Sequence, residues 1–297
     1  MADYGHSNWS GSTGGTPWMQ RTLVVLFRFI PVVFAYGVTA LVIPFYMLFD
    51  RRGFSASYGF YRRRLGRSRL HSFFSVYANE FRLGQVVMDR FALYSGKRYD
   101  ISVEGQDEYD RLAAAEPGFM QVSSHVGNAE LAGYCLRSER KRIHALVFSG
   151  ETATVMQQRS AMFSRTNITM VPVASDMSHL FALNAALLEG GIVVMPGDRL
   201  FGSSKSFTCG FFGAPAKFPA GPFRLAAQRD VPMVAMFVMK EGVRRYRAYV
   251  TRIGERLSAD LAPIKRAEAM AVEYAALLEK MVRKYPSQWF NFYDFWA

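Results

Sequence analysis

Cysteine is scarce in this 297-residue sequence, which contains only Cys135 and Cys209 and no CxxC pair. This scarcity excludes a disulfide framework and a zinc knuckle, and it indicates a reducing compartment. The five histidines also lack any metal-ligand spacing such as HExxH. We therefore predict that the protein binds no metal.

Acidic residues are also in deficit, because 36 Lys and Arg residues stand against 24 Asp and Glu residues and give a net charge of +12. Such an excess indicates an acidic partner or an anionic surface: nucleic acid, anionic lipid or an acidic carrier protein. The usual signatures of nucleic-acid-binding modules are missing, and long apolar stretches lie beside the basic residues. We therefore expect no nucleic acid partner.

Formal charge is absent from residues 29–49, a run of 21 residues that is long enough to cross about 30 Å of hydrocarbon. Pro31 and Pro44 favour a kink, so three interpretations stay open: a spanning helix, a helix lying in the membrane interface, and a buried helix of a soluble protein. Residues 1–20 are rich in Gly, Ser and Thr and lack the features of a signal peptide. We predict an irregular N-terminal arm there.

A run of arginines follows the apolar segment and is expected to contact anionic headgroups on the cytoplasmic side. This basic flank consists of Arg51, Arg52, Arg62, Arg63, Arg64, Arg67 and Arg69. The sequence thus divides into an irregular arm at 1–20, a membrane-associated helical segment with its basic flank at 21–70, and one α/β domain at 71–297.

Short apolar runs alternate with helical patterns through the rest of the chain. Strands are predicted at 101–103, 119–123, 143–148, 169–173, 192–195, 233–239 and 246–250, and helices at 128–136, 152–166, 177–189, 220–228 and 262–285. This alternation predicts an α/β fold, with a mostly parallel central sheet flanked by helices behind an N-terminal membrane-associated helical element.

The main candidates for chemistry are His125 and Glu130, which follow the strand predicted at 119–123. Sites in open α/β sheets form at the carboxyl ends of strands. Residues five apart on a regular helix are separated by about 140 degrees, so we place His125 in the turn, where Gly127 gives conformational freedom. Glu130 at the start of the helix is then expected to orient the imidazole, which acts as a general base. A purely structural hydrogen bond is the alternative.

Two other groups of residues are interpreted as follows. Ser123 and Ser124 lack a GxSxG elbow, so they are expected to end the strand or cap the helix rather than act as nucleophiles. A second basic cluster is either a docking face for a carrier protein or a solvated helix end. It contains Arg137, Arg140, Lys141 and Arg142.

Several segments, in order, resemble the lysophospholipid acyltransferase superfamily, and within it the bacterial lipid A secondary acyltransferases. The run from His125 to Glu130 matches the family signature of His, four residues and an acidic residue. The further matches are Arg165 with the two residues after it, and the segments at 193–202, 211–216, 219–221, 231–234 and 286–290. An ordered set of this kind is far more specific than the His and Glu pair alone.

The resemblance implies an enzyme that moves a fatty acyl group from an acyl carrier protein or acyl-CoA thioester to a hydroxyl or amine of a membrane-borne lipid or glycolipid acceptor. It implies catalytic roles for His125 and Glu130, substrate-binding roles for Arg165, Asp198 and Asn128, and no cofactor beyond the acyl donor. An acidic carrier protein suits the net charge. The expected location is the cytoplasmic face of the bacterial inner membrane.

Two departures from the family pattern bear on the acceptor. Residues 218–222 lack the acidic residue and Thr or Ser of the glycerolipid enzymes, which disfavours a glycerol phosphate acceptor. The aromatic tail at 289–296 resembles that of acyltransferases in aryl polyene or other specialised lipid pathways. A catalytically inactive lipid-binding or assembly protein and a thioester hydrolase are the alternative functions.

Overall fold

The structure is a computed structural model that describes residues 16–135, 138, 140–147, 153–163, 166–174, 176–200, 205–258 and 260–296. The α-helices in these ranges are α1 (Pro17–Phe29), α2 (Val32–Phe49), α3 (Arg51–Gly59), α4 (Arg69–Tyr94), α5 (Gln106–Ala114), α6 (Ala129–Cys135), α7 (Ala153–Phe163), α8 (Ser178–Leu188), α9 (Gly221–Arg229) and α10 (Pro263–Lys284). A π-helical turn at Phe60–Arg64 follows α3, and a 3-10 turn at Pro286–Gln288 follows α10.

The strands are β1 (Asp100–Glu104), β2 (Phe119–Ser123), β3 (Ile143–Val147), β4 (Ile168–Pro172), β5 (Ile192–Pro196), β6 (Ser206–Phe211), β7 (Ala214–Pro219), β8 (Met233–Lys240) and β9 (Arg245–Ile253). Seven of them form one sheet in the order β1-β9-β8-β2-β5-β3-β4. Every neighbouring pair in this sheet is parallel except β8 and β9. The predicted α/β fold with a mostly parallel central sheet flanked by helices is confirmed.

The remaining two strands, β6 and β7, form an antiparallel hairpin that the sequence did not predict. Its turn residues Phe212 and Gly213 both have positive φ values, of 49° and 74°. Two consecutive positive φ values are characteristic of the tight turns that match the twist of a hairpin. Phenylalanine is an unusual residue in such a turn, which explains why the hairpin was not predicted.

The uncharged run at 29–49 holds one helix, α2, and a separate helix, α1, precedes it. Helix α1 ends at Phe29, and α2 begins at Val32, after an extended Pro31. The side chain of Thr16 caps α1 by accepting a hydrogen bond from the Met19 backbone N–H at 3.3 Å. Helix α1 therefore begins within the range 1–20 that was expected to be irregular. Residues 1–15 lie outside the described ranges.

Helix α2 is long and apolar enough to cross a membrane, with a mean hydropathy of 2.1, yet only 22% of it is buried. One face packs along α4 in the opposite direction. Tyr77 of α4 donates a hydrogen bond to the carbonyl of Ala40 at 3.0 Å, and a Cβ at Gly84 would overlap Thr39. Together with the hydrogen bond from Tyr36 of α2 to Asp89 of α4, these contacts show that the first half of α2 lies against α4.

The face of α2 that points away from α4 is exposed and apolar, and it continues onto α1 and the start of α4. Its exposed large side chains are Trp18, Met19, Val25, Leu26, Phe29, Val33, Phe34, Val38, Leu41, Val42, Phe45, Tyr46, Leu48, Phe49, Leu70, Phe73 and Phe74. We call this set the apolar surface. Contiguous exposed apolar patches of this extent mark membrane or protein contacts.

Packing around the central sheet forms two hydrophobic clusters. The larger one collects residues of β7, α9, α10 and the C-terminal tail, and the smaller one collects residues of α5, β1, β3 and β9. Trp289, Phe290 and Phe295 of the tail are buried, while Tyr293 and Trp296 are half-buried. The aromatic tail thus packs mainly into the core.

Candidate active site

His125 lies two residues beyond the end of β2, at the carboxyl edge of the parallel sheet. Gly127, two residues later, has a φ of +64°, and a Cβ there would overlap the carbonyl oxygen of Val238. Both the backbone conformation and the close approach require glycine at this position. The predicted turn between the strand and the helix is confirmed.

Backbone hydrogen bonds hold this turn on two sides. The N–H of Phe290 donates to the carbonyl of His125 at 3.0 Å, and the N–H of Gly127 donates to the carbonyl of Gln288 at 2.8 Å. The N–H of Asn128 donates to the carbonyl of Val238, at the end of β8, at 2.7 Å. The C-terminal segment and β8 together therefore fix the position of His125.

Asp198 provides the carboxylate that contacts the imidazole. Its Oδ1 lies 2.9 Å from Nδ1 of His125, and its Oδ2 accepts the backbone N–H of His125 at 2.7 Å. The carboxylate is almost fully buried, with 1% of the side chain exposed, whereas 30% of the His125 side chain is exposed. A fixed carboxylate thus lies behind the ring, and the ring itself reaches solvent.

The register of the sheet explains why these two residues meet. Strands β2 and β5 are parallel neighbours, and Ser123 pairs with Pro196. His125 and Asp198 each follow their paired residue by two positions, so both side chains start from the same edge of the sheet.

The protonation states of the pair follow from burial and charge. Burial lowers the pKa of His125 below its usual value, Asp198 opposes this shift, and the nearby Arg199 reinforces it. Burial alone would raise the pKa of Asp198, but the contact with His125 holds that pKa below its usual value. The neutral imidazole and the ionised carboxylate are therefore the favoured forms near neutral pH.

Glu130 lies in a different environment from the one predicted. Its Oε2 lies 2.8 Å from Nε of Arg90 and 3.1 Å from Nη2 of Arg159. Its Oε1 accepts a hydrogen bond from the Tyr94 hydroxyl. Burial would raise the pKa of Glu130, but the two guanidinium groups and the tyrosine lower it to about 2. This carboxylate connects α6 to α4 and α7.

The expectation that Glu130 orients the imidazole is therefore wrong, because Asp198 makes that contact. Two arginines from distant helices form ion pairs with Glu130, and a tyrosine adds a hydrogen bond. A neutral imidazole offers no charge that could compete with the two guanidinium groups. A direct catalytic role of Glu130 stays a prediction.

The other predicted site residues have varied positions. Asn128 is buried, with 2% of its surface exposed, and its side chain hydrogen-bonds to Tyr246. It helps to hold the turn, and its contact with substrate stays a prediction. Arg165 lies outside the described residues. Asp198 was expected to bind substrate, and its contact with His125 was missed.

Lys141 of the second basic cluster is a buried structural residue. Its ammonium donates hydrogen bonds to the carbonyls of Glu116, Pro117 and Gly190 at 2.9–3.0 Å, and 6% of the residue is exposed. Lys141 therefore does not belong to a docking face or to a solvated helix end. Arg137 lies outside the described residues.

Arg199 is a site residue that the sequence did not indicate. Its guanidinium donates a hydrogen bond to the carbonyl of Phe290 at 2.6 Å and lies 5.8 Å from the ring centre of Tyr293. It directly follows Asp198, so its position depends on the same turn. Arg199 thus lies between the pair of His125 and Asp198 and the C-terminal tail.

The sequence also did not indicate a buried charged cluster next to the site. Lys240 of β8 and Asp89 of α4 form an ion pair with 1% and 0% of their side chains exposed. Tyr36 of α2, Tyr99 and Tyr246 donate hydrogen bonds to the same carboxylate. This cluster joins α2 to the sheet, and Tyr246 continues it to Asn128.

The site suits general-base chemistry. A carboxylate on Nδ1 selects the tautomer in which Nε2 is the basic nitrogen and stabilises the imidazolium ion after proton transfer. Ser124 is 4% exposed and lacks the sharp nucleophile turn of serine hydrolases. The arrangement therefore favours activation of a substrate group rather than a covalent serine intermediate.

The chain is similar in fold to the crystal structure of the 1-acyl-sn-glycerophosphate acyltransferase PlsC from Thermotoga maritima, with 13% identity and a TM-score of 0.38 over 92% of this chain and 99% of that one. This likeness is too distant to assign an activity. No curated protein matches the sequence.

The family profile of the bacterial lipid A biosynthesis acyltransferases matches residues 84–297, which include His125, Glu130, Asp198 and the C-terminal segment. The matched region covers more than two thirds of the chain and begins within α4. The chain therefore belongs to the family of bacterial lipid A biosynthesis acyltransferases, and the protein is an acyltransferase of lipid biosynthesis.

Proposed function

We propose that the protein transfers a fatty acyl group from a thioester donor, an acyl carrier protein or acyl-CoA, to a hydroxyl or amine of a membrane-borne acceptor, with His125 as the general base. The observation that carries this proposal is the contact between Asp198 Oδ1 and His125 Nδ1 at 2.9 Å. It directs the basic Nε2 away from the carboxylate.

In the proposed reaction, Nε2 of His125 takes the proton of the acceptor hydroxyl or amine while that group attacks the thioester carbonyl. The resulting tetrahedral intermediate collapses with cleavage of the C–S bond. The imidazolium proton then passes to the departing thiolate, which restores neutral His125. Asp198 stays ionised throughout and stabilises the imidazolium form, as in other carboxylate-oriented histidine bases.

Glu130 has a positioning role in this proposal. Its hydrogen bonds with Arg90, Arg159 and Tyr94 fix the start of α6, and α6 follows the His125 turn directly. A displacement of about 1 Å in a reacting group is sufficient to lower a rate a hundredfold. Glu130 then affects the rate through the position of His125.

The N-terminal helices support attachment to one membrane surface rather than a full crossing. A spanning α2 would bring its partner α4 into the hydrocarbon, including Glu80, Arg82 and Arg90. Burying several charged groups there is costly. We therefore propose that the apolar surface enters one leaflet on the cytoplasmic face of the inner membrane, with the basic flank at the headgroups.

An acyl carrier protein is the proposed donor because the net charge of +12 complements an acidic protein. The same charge attracts the protein to anionic lipid, so a charged donor and a membrane-borne acceptor meet at one surface.

His125→Ala tests the proposed chemistry, and His71→Ala is the matched control because His71 is exposed at the start of α4. Both proteins are incubated with labelled acyl carrier protein and a bacterial membrane lipid extract, and the labelled products are separated. We expect His125→Ala to lose at least about 100-fold in transfer, and His71→Ala to keep the wild-type rate.

Three results would contradict the proposal. Normal transfer by His125→Ala would exclude the histidine base. Label that stays on the donor with the wild-type protein would indicate a binding protein. Release of free acid at the same rate with and without lipid would indicate a hydrolase.

Labelling of single introduced cysteines tests the membrane arrangement. Arg21→Cys on α1 and Arg52→Cys on α3 lie before and after α2, and both positions are exposed. In a background without the native cysteines, an impermeant maleimide should modify both positions from the cytoplasmic side. Modification from opposite sides would show that α2 spans the membrane.

A further inference from the structure

A cavity of about 420 Å³ lies between the π-helical turn after α3 and the C-terminal tail. We call it the tail cavity. One wall comes from the basic flank and the other from the aromatic tail. Its lining includes Gly59, Arg63, Arg64, Tyr293, Asp294 and Trp296.

Two guanidinium groups face this cavity without a carboxylate partner. Arg64 is half-buried, with its guanidinium carbon 4.5 Å from the ring centre of Trp296, and Arg63 is exposed. In the described part of the chain neither arginine forms an ion pair. Asp294 also lines the cavity, but it is exposed and accepts the backbone N–H of Trp296 at 3.1 Å. The cavity therefore carries a positive excess.

The local backbone places Arg63 in this position. Arg63 and Arg64 belong to a single π-helical turn, a conformation that is frequent at functional sites. A Cβ at Gly59 would lie 2.7 Å from an NH2 nitrogen of Arg63, so the guanidinium occupies the space left by the glycine. Gly59→Ala would therefore displace the guanidinium of Arg63 without removing its charge.

The cavity lies close to both the apolar surface and the turn that contains His125. The apolar surface flanks the basic turn in the chain, with Phe49 before it and Leu70 after it. On the other side, Tyr293 of the cavity wall lies 5.8 Å from the guanidinium of Arg199, which contacts Phe290, and Phe290 in turn bonds to His125. A ligand in the cavity therefore lies next to the segment that holds the catalytic base.

We propose that the tail cavity binds a phosphate group of a substrate and holds it beside the catalytic turn. Paired guanidinium groups recognise phosphate oxygens through charge-assisted hydrogen bonds, and Arg64 stacked on an aromatic ring is oriented before the ligand binds. The function of this phosphate site rests on the proposed acyl transfer. The phosphate belongs either to the headgroup of the acceptor lipid or to the phosphopantetheine arm of the donor.

Binding without turnover tests the inference in the full-length, detergent-solubilised protein. The probes are dihexanoyl phosphatidate for the lipid source and pantetheine 4′-phosphate for the donor source, each measured by titration calorimetry. Arg63→Gln combined with Arg64→Gln should weaken the binding of one probe at least tenfold. Gly59→Ala should weaken it about threefold without a change in net charge.

Arg98→Gln combined with Arg245→Gln is the matched control, because it removes the same charge from exposed positions outside both the cavity and the basic flank. We expect it to bind within twofold of wild type. Equal losses in the cavity and control variants, or a cavity variant that binds both probes as wild type does, would overturn the proposal. The probe whose binding is lost identifies the source of the phosphate.

The same titrations in His125→Ala separate this inference from the proposed reaction. That variant is expected to lack transfer yet to bind the phosphate probe as wild type does. Transfer that fails in the wild-type protein while cavity-dependent binding persists would overturn the proposed function alone.

Discussion

Asp198 contacts both the backbone and the side chain of His125, at 2.7 Å through the N–H and at 2.9 Å through Nδ1. One buried carboxylate thereby fixes the position of the residue and the tautomer of its ring. The carboxylate that contacts the histidine consequently comes from a strand end 73 residues away in the sequence rather than from the adjacent helix.

Replacement of Asp198 by Asn should leave the fold intact but reduce acyl transfer by about 10²–10⁴-fold. The amide no longer stabilises the imidazolium ion and does not select the reactive tautomer. Steady-state transfer from acyl carrier protein measures the effect, and circular dichroism checks the fold. Asp107→Asn on the exposed face of α5 is the matched control and should keep full activity. Full activity of Asp198→Asn would show that the contact is only structural.

The pH dependence of transfer should show an acid limb with its midpoint below pH 6.5. Burial lowers the pKa of His125, and the base works only when the imidazole is neutral, so activity is present above the lowered pKa and falls as pH decreases through it. The profile of kcat/KM against pH measures this midpoint. Because Asp198 raises the pKa of His125, any residual activity of Asp198→Asn should titrate at still lower pH. A midpoint above pH 7 would disagree with the buried environment.

Glu130→Gln should destabilise the protein by about 3–5 kcal/mol, because it leaves two guanidinium groups in a buried site without their carboxylate. Thermal unfolding measures the loss, and Glu255→Gln at an exposed position is the control. The pKa of Glu130 is depressed to about 2 in the fold. Its contribution is therefore complete above the unfolded value of about 4.5 and is lost as pH falls toward 2.

Glu130→Gln also distinguishes a positioning role from direct catalysis. We expect activity and stability to fall together, while His125→Ala loses activity with little change in stability. A Glu130→Gln protein that unfolds at the wild-type temperature yet has no activity would indicate that Glu130 acts on the substrate directly.

Lys240→Met alone should destabilise the protein by about 3–5 kcal/mol, since it leaves Asp89 as an unpaired buried charge. The double variant Asp89→Leu with Lys240→Met should recover only part of this loss. It leaves no buried charge unpaired, but the hydroxyls of Tyr36, Tyr99 and Tyr246 lose their acceptor. Denaturant unfolding of both single variants and the double variant forms the thermodynamic cycle. Additive losses would show that the two residues do not interact in solution.

The sequence predicted the fold well where the signal was local. The apolar strand at 119–123 and the glycine after it were sufficient to place His125 in a turn at the carboxyl edge of the sheet. The order of the strands was beyond local patterns, because pairing of β2 with β5 depends on contacts between distant segments. Without this pairing the sequence offered no reason to connect His125 with Asp198.

The contacts of Glu130 also depend on distant segments that local sequence patterns do not reveal. Its spacing from His125 favoured contact between the two, but its actual partners come from α4 and α7. Arg90 and Tyr94 are four residues apart on one helix, which gives them a shared face, yet nothing in that spacing identifies the residue they bind. The ion-pair partners of a buried carboxylate are determined by the tertiary structure.

Helix α2, helix α4 and strand β8 are joined through Tyr36, Asp89 and Lys240, and β8 also holds the backbone of Asn128 next to His125. In the proposed membrane-bound state these elements form a rigid spacer between the lipid surface and the imidazole of His125. The height of the base above the bilayer is then constant. An acceptor reacts only when its hydroxyl or amine projects from the membrane by that height, so the fold selects acceptors by headgroup size as well as by chemistry.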